Sequence, residues 1–199
     1  MSTLVSFEQA VAALGQGEVV GLPTDTVYGL AGSLAHPDAV ARLFTIKQRP
    51  STVALPVLAA SRDSIAALGV AWGEPARRLS EVFWPGALTI VVPVPRSLAE
   101  LVGSTNGAVG FRVPHVEQLR ELLIASGPLA VSSANEHGQP PCQRALDVVN
   151  TFAGTALAGV LDGGERSATV STVVQIDGSG LTVLRQGSIT LDELEAALV

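Results

Sequence analysis

A single α/β domain built around a largely buried mixed sheet is the fold this chain predicts, and three observations predict it. Segments of helical and of strand periodicity alternate over residues 1–199, with no repeat, linker or low-complexity stretch between them. Hydrophobic residues make up 47% and charged residues only 15%, a balance suited to a large core. The last strands are joined by connections too short for a crossover helix, so part of the sheet is antiparallel.

Ser6 to Gly15 reads as a helix: Ser6 and Gln9 form a capping-box pair, Phe7, Ala10, Val11 and Leu14 share one face, and Gly15 can end it. The strand "EVVGLPT" follows, and "HPDAVARLFTIKQ" is a helix with Pro37 near its start that delivers Lys47 at or just past its last turn. "ALPVLAA" is a buried strand, and "RDSIAALG" and "EPARRLSEVF" are helices. "ALTIVVPVP" and "AVGFRVP" are strands separated by a polar, Gly-rich loop. "VEQLRELLIASG" is an amphipathic helix, "PLAVSSAN" a strand running into a polar turn, and "RALDVVNTFAG" a helix. "GVLDGG", "STVVQID" and "LTVLRQG" are strands, and "TLDELEAALV" is a closing helix capped by Thr190 and Glu193.

Twelve basic against eighteen acidic residues give a net charge of -6, which argues for weak or no direct nucleic-acid binding. Cys142 is the only cysteine, so the chain forms no internal disulfide and no multi-cysteine metal site. Without an activating base nearby, it reads as an inert loop thiol. No basic leader and no apolar run of about 18 residues is seen, so the expected place is the cytoplasm, away from membranes.

Five polar clusters fall at strand ends, where an open sheet places ligand groups: "PTDTVYGL", "IKQRP", "GFRVP", "VSSAN", and the pair "STVV" with "LRQG". Singly, each has an ordinary explanation: a Thr-Asp-Thr turn caps its own backbone, "SSAN" can start a helix, and Arg112 or Arg185 can pair with a structural carboxylate. Together they are complementary. Lys47, the only lysine beside eleven arginines, stands two residues before Arg49, and strand-end arginines accompany hydroxyls and amides with no catalytic nucleophile. Such a set suits phosphates and carboxylates, and a lysine offers a compact charge that can follow a reacting phosphate. No Walker loop, G-x-G-x-x-G, G-x-S-x-G elbow or H-E-x-x-H helix is present.

In the order and spacing of "PTDTVYGL", "KQRP", "FWPGALTIVV", "GFRVP", "SSANEHG", "STVV" and "LRQG", the chain resembles the YrdC-like family of threonylcarbamoyl-AMP synthases. The resemblance implies an open, twisted mixed sheet with flanking helices and a deep concave cleft lined by these segments. It implies a nucleotidyltransferase that joins L-threonine, bicarbonate and ATP into threonylcarbamoyl-AMP and pyrophosphate, for a downstream transferase complex that modifies tRNA. Lys47 and Arg49 would be catalytic, with Lys47 also on the nucleotide. Thr24, Thr26, Tyr28, Arg112 and Ser171 would hold threonine or its carbamate, and Ser133, Asn135 and Arg185 the nucleotide. Mg²⁺ would come with ATP, with no dedicated metal ligands in the protein; Asp25, Asp162 and Glu165 read as solvated turn carboxylates. The chain departs from the family pattern at "STVALPVLAA", with Val53 and Ala54 and no histidine. It stops at Val199, so the extra C-terminal domain of long members is absent from this reading and gating falls to the loop "GERSATVS".

Two other readings compete: a carbamoyltransferase that passes a carbamoyl group through an adenylate, and an RNA-binding module of the same fold.

Overall fold

The computed structural model describes residues 3–48, 53–136, 138–166, 169–177 and 180–199. In chain order its elements are β1 (Leu4–Val5), α1 (Phe7–Gly15), β2 (Val19–Pro23), β3 (Tyr28–Ser33), α2 (Pro37–Lys47), β4 (Val57–Leu58), α3 (Arg62–Ala66), α4 (Glu74–Phe83) and β5 (Leu88–Pro93). There follow α5 (Arg96–Leu101), β6 (Ala108–Arg112), α6 (Glu117–Ser126), β7 (Leu129–Ser133), α7 (Ala145–Thr151), β8 (Leu157–Leu161), β9 (Thr172–Asp177), β10 (Gly180–Arg185) and α8 (Leu191–Ala196). Among the described residues ten strands form one open mixed sheet, ordered β1-β8-β2-β3-β7-β4-β6-β5-β9-β10. The β1/β8, β2/β8, β4/β6 and β5/β9 pairs are parallel and the others antiparallel.

Both capping boxes form, at Ser6 with Gln9 and at Thr190 with Glu193, and Lys47 is the last residue of α2. Three elements escape the sequence reading. β1 has only two residues, and α5, within the expected polar loop, has six, too few for a period to register. β3 carries Gly29 and Gly32, which weaken strand propensity, yet it sits between β2 and β7, antiparallel to both. The glycines answer to packing: a Cβ on Gly29 would lie 2.7 Å from Val131 Cγ1. In "ALPVLAA" only Val57 and Leu58 join the sheet.

The two-residue period of the strands separates two layers. On one face Leu30, Val57, Leu88, Ile90, Val109, Phe111, Ala130 and Val174 join the larger core with Val40 and Leu43 of α2, Leu79 of α4 and Val148 of α7. On the other face Val20, Leu22, Ala31, Leu129 and Val131 pack with Ala10 and Leu14 of α1 and Leu119, Leu122 and Leu123 of α6. These two helices cover the β2–β3–β7 side of that second face, and a cavity opens farther along it.

Candidate functional site

Where helices leave the second face uncovered, the alternate residues of the strands, several of them small or polar, line a cavity of about 600 Å³. β5 turns Leu88, Ile90 and Val92 to the core and Thr89 and Val91 to the cavity. β6 turns Val109 and Phe111 inward and Ala108, Gly110 and Arg112 to the cavity, while β9 gives Val174 to the core and Val173 and Gln175 to the cavity. Gly110 leaves room: a Cβ there would stand 2.9 Å from Thr89 Cγ2. Ser104, Thr105 and Asn106 complete the lining between α5 and β6.

Of the residues singled out from sequence, Thr24, Thr26, Tyr28, Arg112, Ser133, Ser171 and Arg185 line this cavity. Arg49 lies outside the described residues, as do two residues of the loop "GERSATVS". The first of three polar groups is the 24–27 turn with Arg112. The Arg112 guanidinium, at the end of β6, is buried; Nε donates to Gly86 O at 2.9 Å and Nη1 to Thr26 Oγ1 at 3.1 Å. Nη2 lies 2.6 Å from Asp25 Oδ1, a charge contact not aligned as a hydrogen bond. Thr24 Oγ1 donates to Val27 O at 2.6 Å, so the 2.9 Å contact between the two threonine hydroxyls has Thr26 as donor.

The second group joins β9 and β10. Arg185 donates through Nε to Ser171 O at 3.0 Å and through Nη2 to Ser171 Oγ at 2.8 Å, and Ser171 Oγ lies 3.0 Å from Thr89 Oγ1. Among the described residues Arg185 has no carboxylate within ion-pair distance. Partial burial lowers its pKa, and repulsion from Arg112 adds to this, so two guanidinium groups share one cavity.

The third group is the turn after β7. Lys47, only 7% exposed, donates through Nζ to the carbonyl oxygen of Asn135 and to its Oδ1, the latter at 3.0 Å, and lies 5.8 Å from the Phe152 ring centroid. Ser133 Oγ donates to Asn135 Oδ1 at 2.6 Å, and Asn135 Nδ2 donates to the carbonyls of Glu136 and Gln139, each at 2.8 Å. Lys47, Ser133 and Asn135 thus form one network. Ser133 lines the main cavity, whereas Asn135 faces a neighbouring one of about 310 Å³ with Glu136, Gln139 and Thr151.

Tyr28 is a different case. Its side chain is fully buried, and its hydroxyl donates to Gly164 O at 2.8 Å and accepts from Gly163 N at 3.1 Å, tying β3 to the loop after β8. Burial raises its pKa, so it stays a neutral phenol. Cys142 is also raised by burial, which keeps it a thiol. Asp162 and Glu165 are exposed turn carboxylates, as the sequence suggests; Asp162 accepts from Gly164 N at 2.8 Å and Glu165 pairs with Arg144 at the surface. Asp25 departs from that expectation, since it is held against Arg112. Sequence reasoning missed Thr89, Ser104, Thr105, Asn106 and Gln175 as cavity residues; the signal for Thr89 is a lone hydroxyl in the apolar run "ALTIVV".

The family model Sua5/YciO/YrdC, described as "Telomere recombination", matches residues 12–187. Threonylcarbamoyl-AMP synthase of Bacillus subtilis is 37% identical over 193 residues, which cover 96% of this chain and 56% of that protein. Threonylcarbamoyl-AMP synthase of Photobacterium profundum is 31% identical over 185 residues, covering 92% of this chain and 99% of that one. The crystal structure of Pyrococcus abyssi Sua5 complexed with L-threonine superposes with a TM-score of 0.89 at 32% identity, over 96% of this chain and 57% of that one. The chain therefore spans little more than half the length of the B. subtilis and P. abyssi proteins and nearly all of the P. profundum protein.

Proposed function

The chain belongs to the Sua5/YciO/YrdC family, and on that premise we propose that it is a threonylcarbamoyl-AMP synthase. The observation that carries the reading is the cavity itself. It holds a guanidinium with no carboxylate partner among the described residues, Arg185, a second one already oriented, Arg112, and a ring of hydroxyls. That is a site for crowding anions together. The threonine amine and bicarbonate give a carbamate with loss of water; a carbamate oxygen then attacks the α-phosphorus of ATP, and the bond to pyrophosphate breaks. Carbamate, threonine carboxylate and triphosphate are all negative, so the chain's task is to position them and offset their repulsion.

Arg112, Thr24, Thr26 and Ser171 are assigned to threonine and its carbamate, and Ser133, Asn135 and Arg185 to the nucleotide. Tyr28 shapes the pocket from behind. Lys47 and Arg49 belong to the phosphate chemistry, Lys47 through the Asn135 turn it holds. Mg²⁺ arrives with ATP and offsets phosphate charge. No described carboxylate is assigned to the metal: Asp25 and Glu165 are paired with arginines and Asp162 is bonded within its own loop. The adenylate is handed to a transferase that modifies tRNA. The chain as a whole, at net charge -6, gives RNA little general attraction. A cytoplasmic location accords with this role, and among the described residues no helix is long and apolar enough to cross a membrane. Incubating the purified protein with ATP, bicarbonate and L-threonine tests the reading. Pyrophosphate release and an adenylate that both require threonine are expected; release independent of threonine, or supported by carbamoyl phosphate instead, overturns it.

A further inference from the structure

Residues 24 to 26 alternate across the cavity wall: Thr24 and Thr26 line it, whereas Asp25 between them does not. Asp25 lies behind the wall, with its side chain 14% exposed, against Nη2 of a guanidinium that is itself only 6% exposed. We propose that Asp25 is a positioning residue for the reaction, acting through Arg112 and never touching substrate. This rests on the reading of the cavity as the threonine and ATP site.

The argument follows from the donors of one side chain. A guanidinium has five N–H groups in a rigid plane. Gly86 O and Thr26 Oγ1 take one each, on Nε and Nη1, and the Asp25 carboxylate sits against Nη2. Contacts at all three nitrogens fix the plane of the fork and leave N–H groups for a ligand's oxygens. A buried cation also needs a nearby anion, more so here because Arg185 shares the cavity and bears no carboxylate of its own among the described residues. Asp25 brings the cluster of Arg112, Arg185 and Asp25 from two net positive charges to one. Charge count and positioning therefore predict opposite effects. Removing the carboxylate would strengthen general attraction for anions, but it would free the fork that binds one of them in a defined geometry.

The test compares the parent chain with Asp25→Asn, Asp25→Glu, Arg112→Gln and the double variant Asp25→Asn/Arg112→Gln. Threonine-dependent pyrophosphate release and melting temperature are measured for each, and the ¹⁵N–¹H resonance of Arg112 Nε for the chains that keep Arg112. Asp25→Asn should raise the KM for threonine about tenfold or more, with a smaller change in kcat, because a misplaced orienting group weakens productive binding. Asp25→Glu should recover part of the loss. In the Arg112→Gln background the Asp25 change should add less than about twofold, since both act through one group. The Arg112 Nε resonance should be sharp in the parent chain and broadened in Asp25→Asn. A lowered KM in Asp25→Asn would assign Asp25 to charge count alone. A lower melting temperature with unchanged kinetics and resonance would make it merely structural, and fully multiplicative losses in the double variant would separate it from Arg112. Each of these overturns the proposal. If the parent chain releases no threonine-dependent pyrophosphate, the functional reading fails, and the Nε resonance still decides whether Asp25 holds Arg112.

Discussion

Arg112 and Arg185 end two strands of one sheet and face one cavity, yet their surroundings differ. Arg112 lies within the sheet on β6, buried, with a carbonyl, a hydroxyl and a carboxylate around its three nitrogens. Arg185 ends the edge strand β10, is accessible, and among the described residues bonds only to Ser171. An interior guanidinium persists because it is matched by charge; one at the edge stays hydrated and can be left unmatched until a ligand arrives. The same residue type is fixed in place by its partners at one strand end and, under the proposed function, is a less constrained contact for an anion at the other.

The largest effect should come from the unmatched cation. Arg185→Gln is expected to lower kcat/KM for pyrophosphate release by about 10²- to 10³-fold, the range for deleting one electrostatic contact to developing charge. Its melting temperature should stay within about 2 °C of the parent, because no carboxylate is orphaned. A variant that melts much earlier but turns over normally would reverse the assignment of the two arginines.

Lys47 sharpens the comparison as a buried cation that donates to two oxygens of Asn135. Lys47→Ala leaves the carbonyl oxygen and Oδ1 of Asn135 without that donor, so the chain should lose about 1–3 kcal/mol in denaturant unfolding along with its activity. Lys47→Arg should rescue neither fully, because a planar fork cannot occupy the place of a compact ammonium. Full recovery of both in the Arg variant would show that any cation serves.

Much of this was legible from sequence because period and spacing are local. The alternation in "ALTIVV" and "AVGFRV" marks which residues face the core, and both capping boxes are read directly. The polar clusters that line the cavity are also visible, since each sits at the end of a strand. What escaped depends on contacts distant in the chain. Asp25 is 87 positions from Arg112, and nothing near it signals burial. The Tyr28 hydroxyl finds its partners more than 130 residues away, across β8, and so reads as a cavity group although it bonds the loop behind. Lys47 reads from sequence as an ammonium presented to phosphate; its partner, 88 residues on, is the turn of another motif.

Tyr28 supplies a smaller and pH-dependent effect. Burial raises its pKa, so the folded chain holds the phenolic proton more tightly than the unfolded chain does. The associated stability is fully present below the ordinary tyrosine value of about 10 and is lost as pH rises from there through the raised native value. Cys142, raised in the same sense, starts its own loss nearer pH 8.5, so the comparison belongs in a Cys142→Ser background. There, Tyr28→Phe should flatten the alkaline limb of the stability curve. As the only tyrosine, Tyr28 can be titrated by its ultraviolet absorbance, and a midpoint at or below the ordinary value would contradict the burial argument.

The smallest effect is expected at a third arginine, outside the cavity. Arg77 on α4 makes two ion pairs, with Glu74 at 2.7 Å and Glu81 at 2.5 Å, and by count it is better paired than Arg112. Its side chain is 47% exposed, however, so water already solvates all three groups and holding long side chains together costs entropy. Alanine in its place leaves two carboxylates that water can rehydrate, whereas removing Arg112 leaves Asp25 behind the cavity wall with little water to replace it. Arg77→Ala should therefore move the melting temperature by no more than about 2 °C, and the shift should vanish in 1 M salt, where the screening length is about 3 Å. Arg112→Gln should lower it in low and high salt alike. If the two variants lose stability equally, or if the Arg112 loss is also screened away, then burial is not what separates the arginines of this chain, and the contrast between a matched interior cation and an unmatched edge cation has to be abandoned.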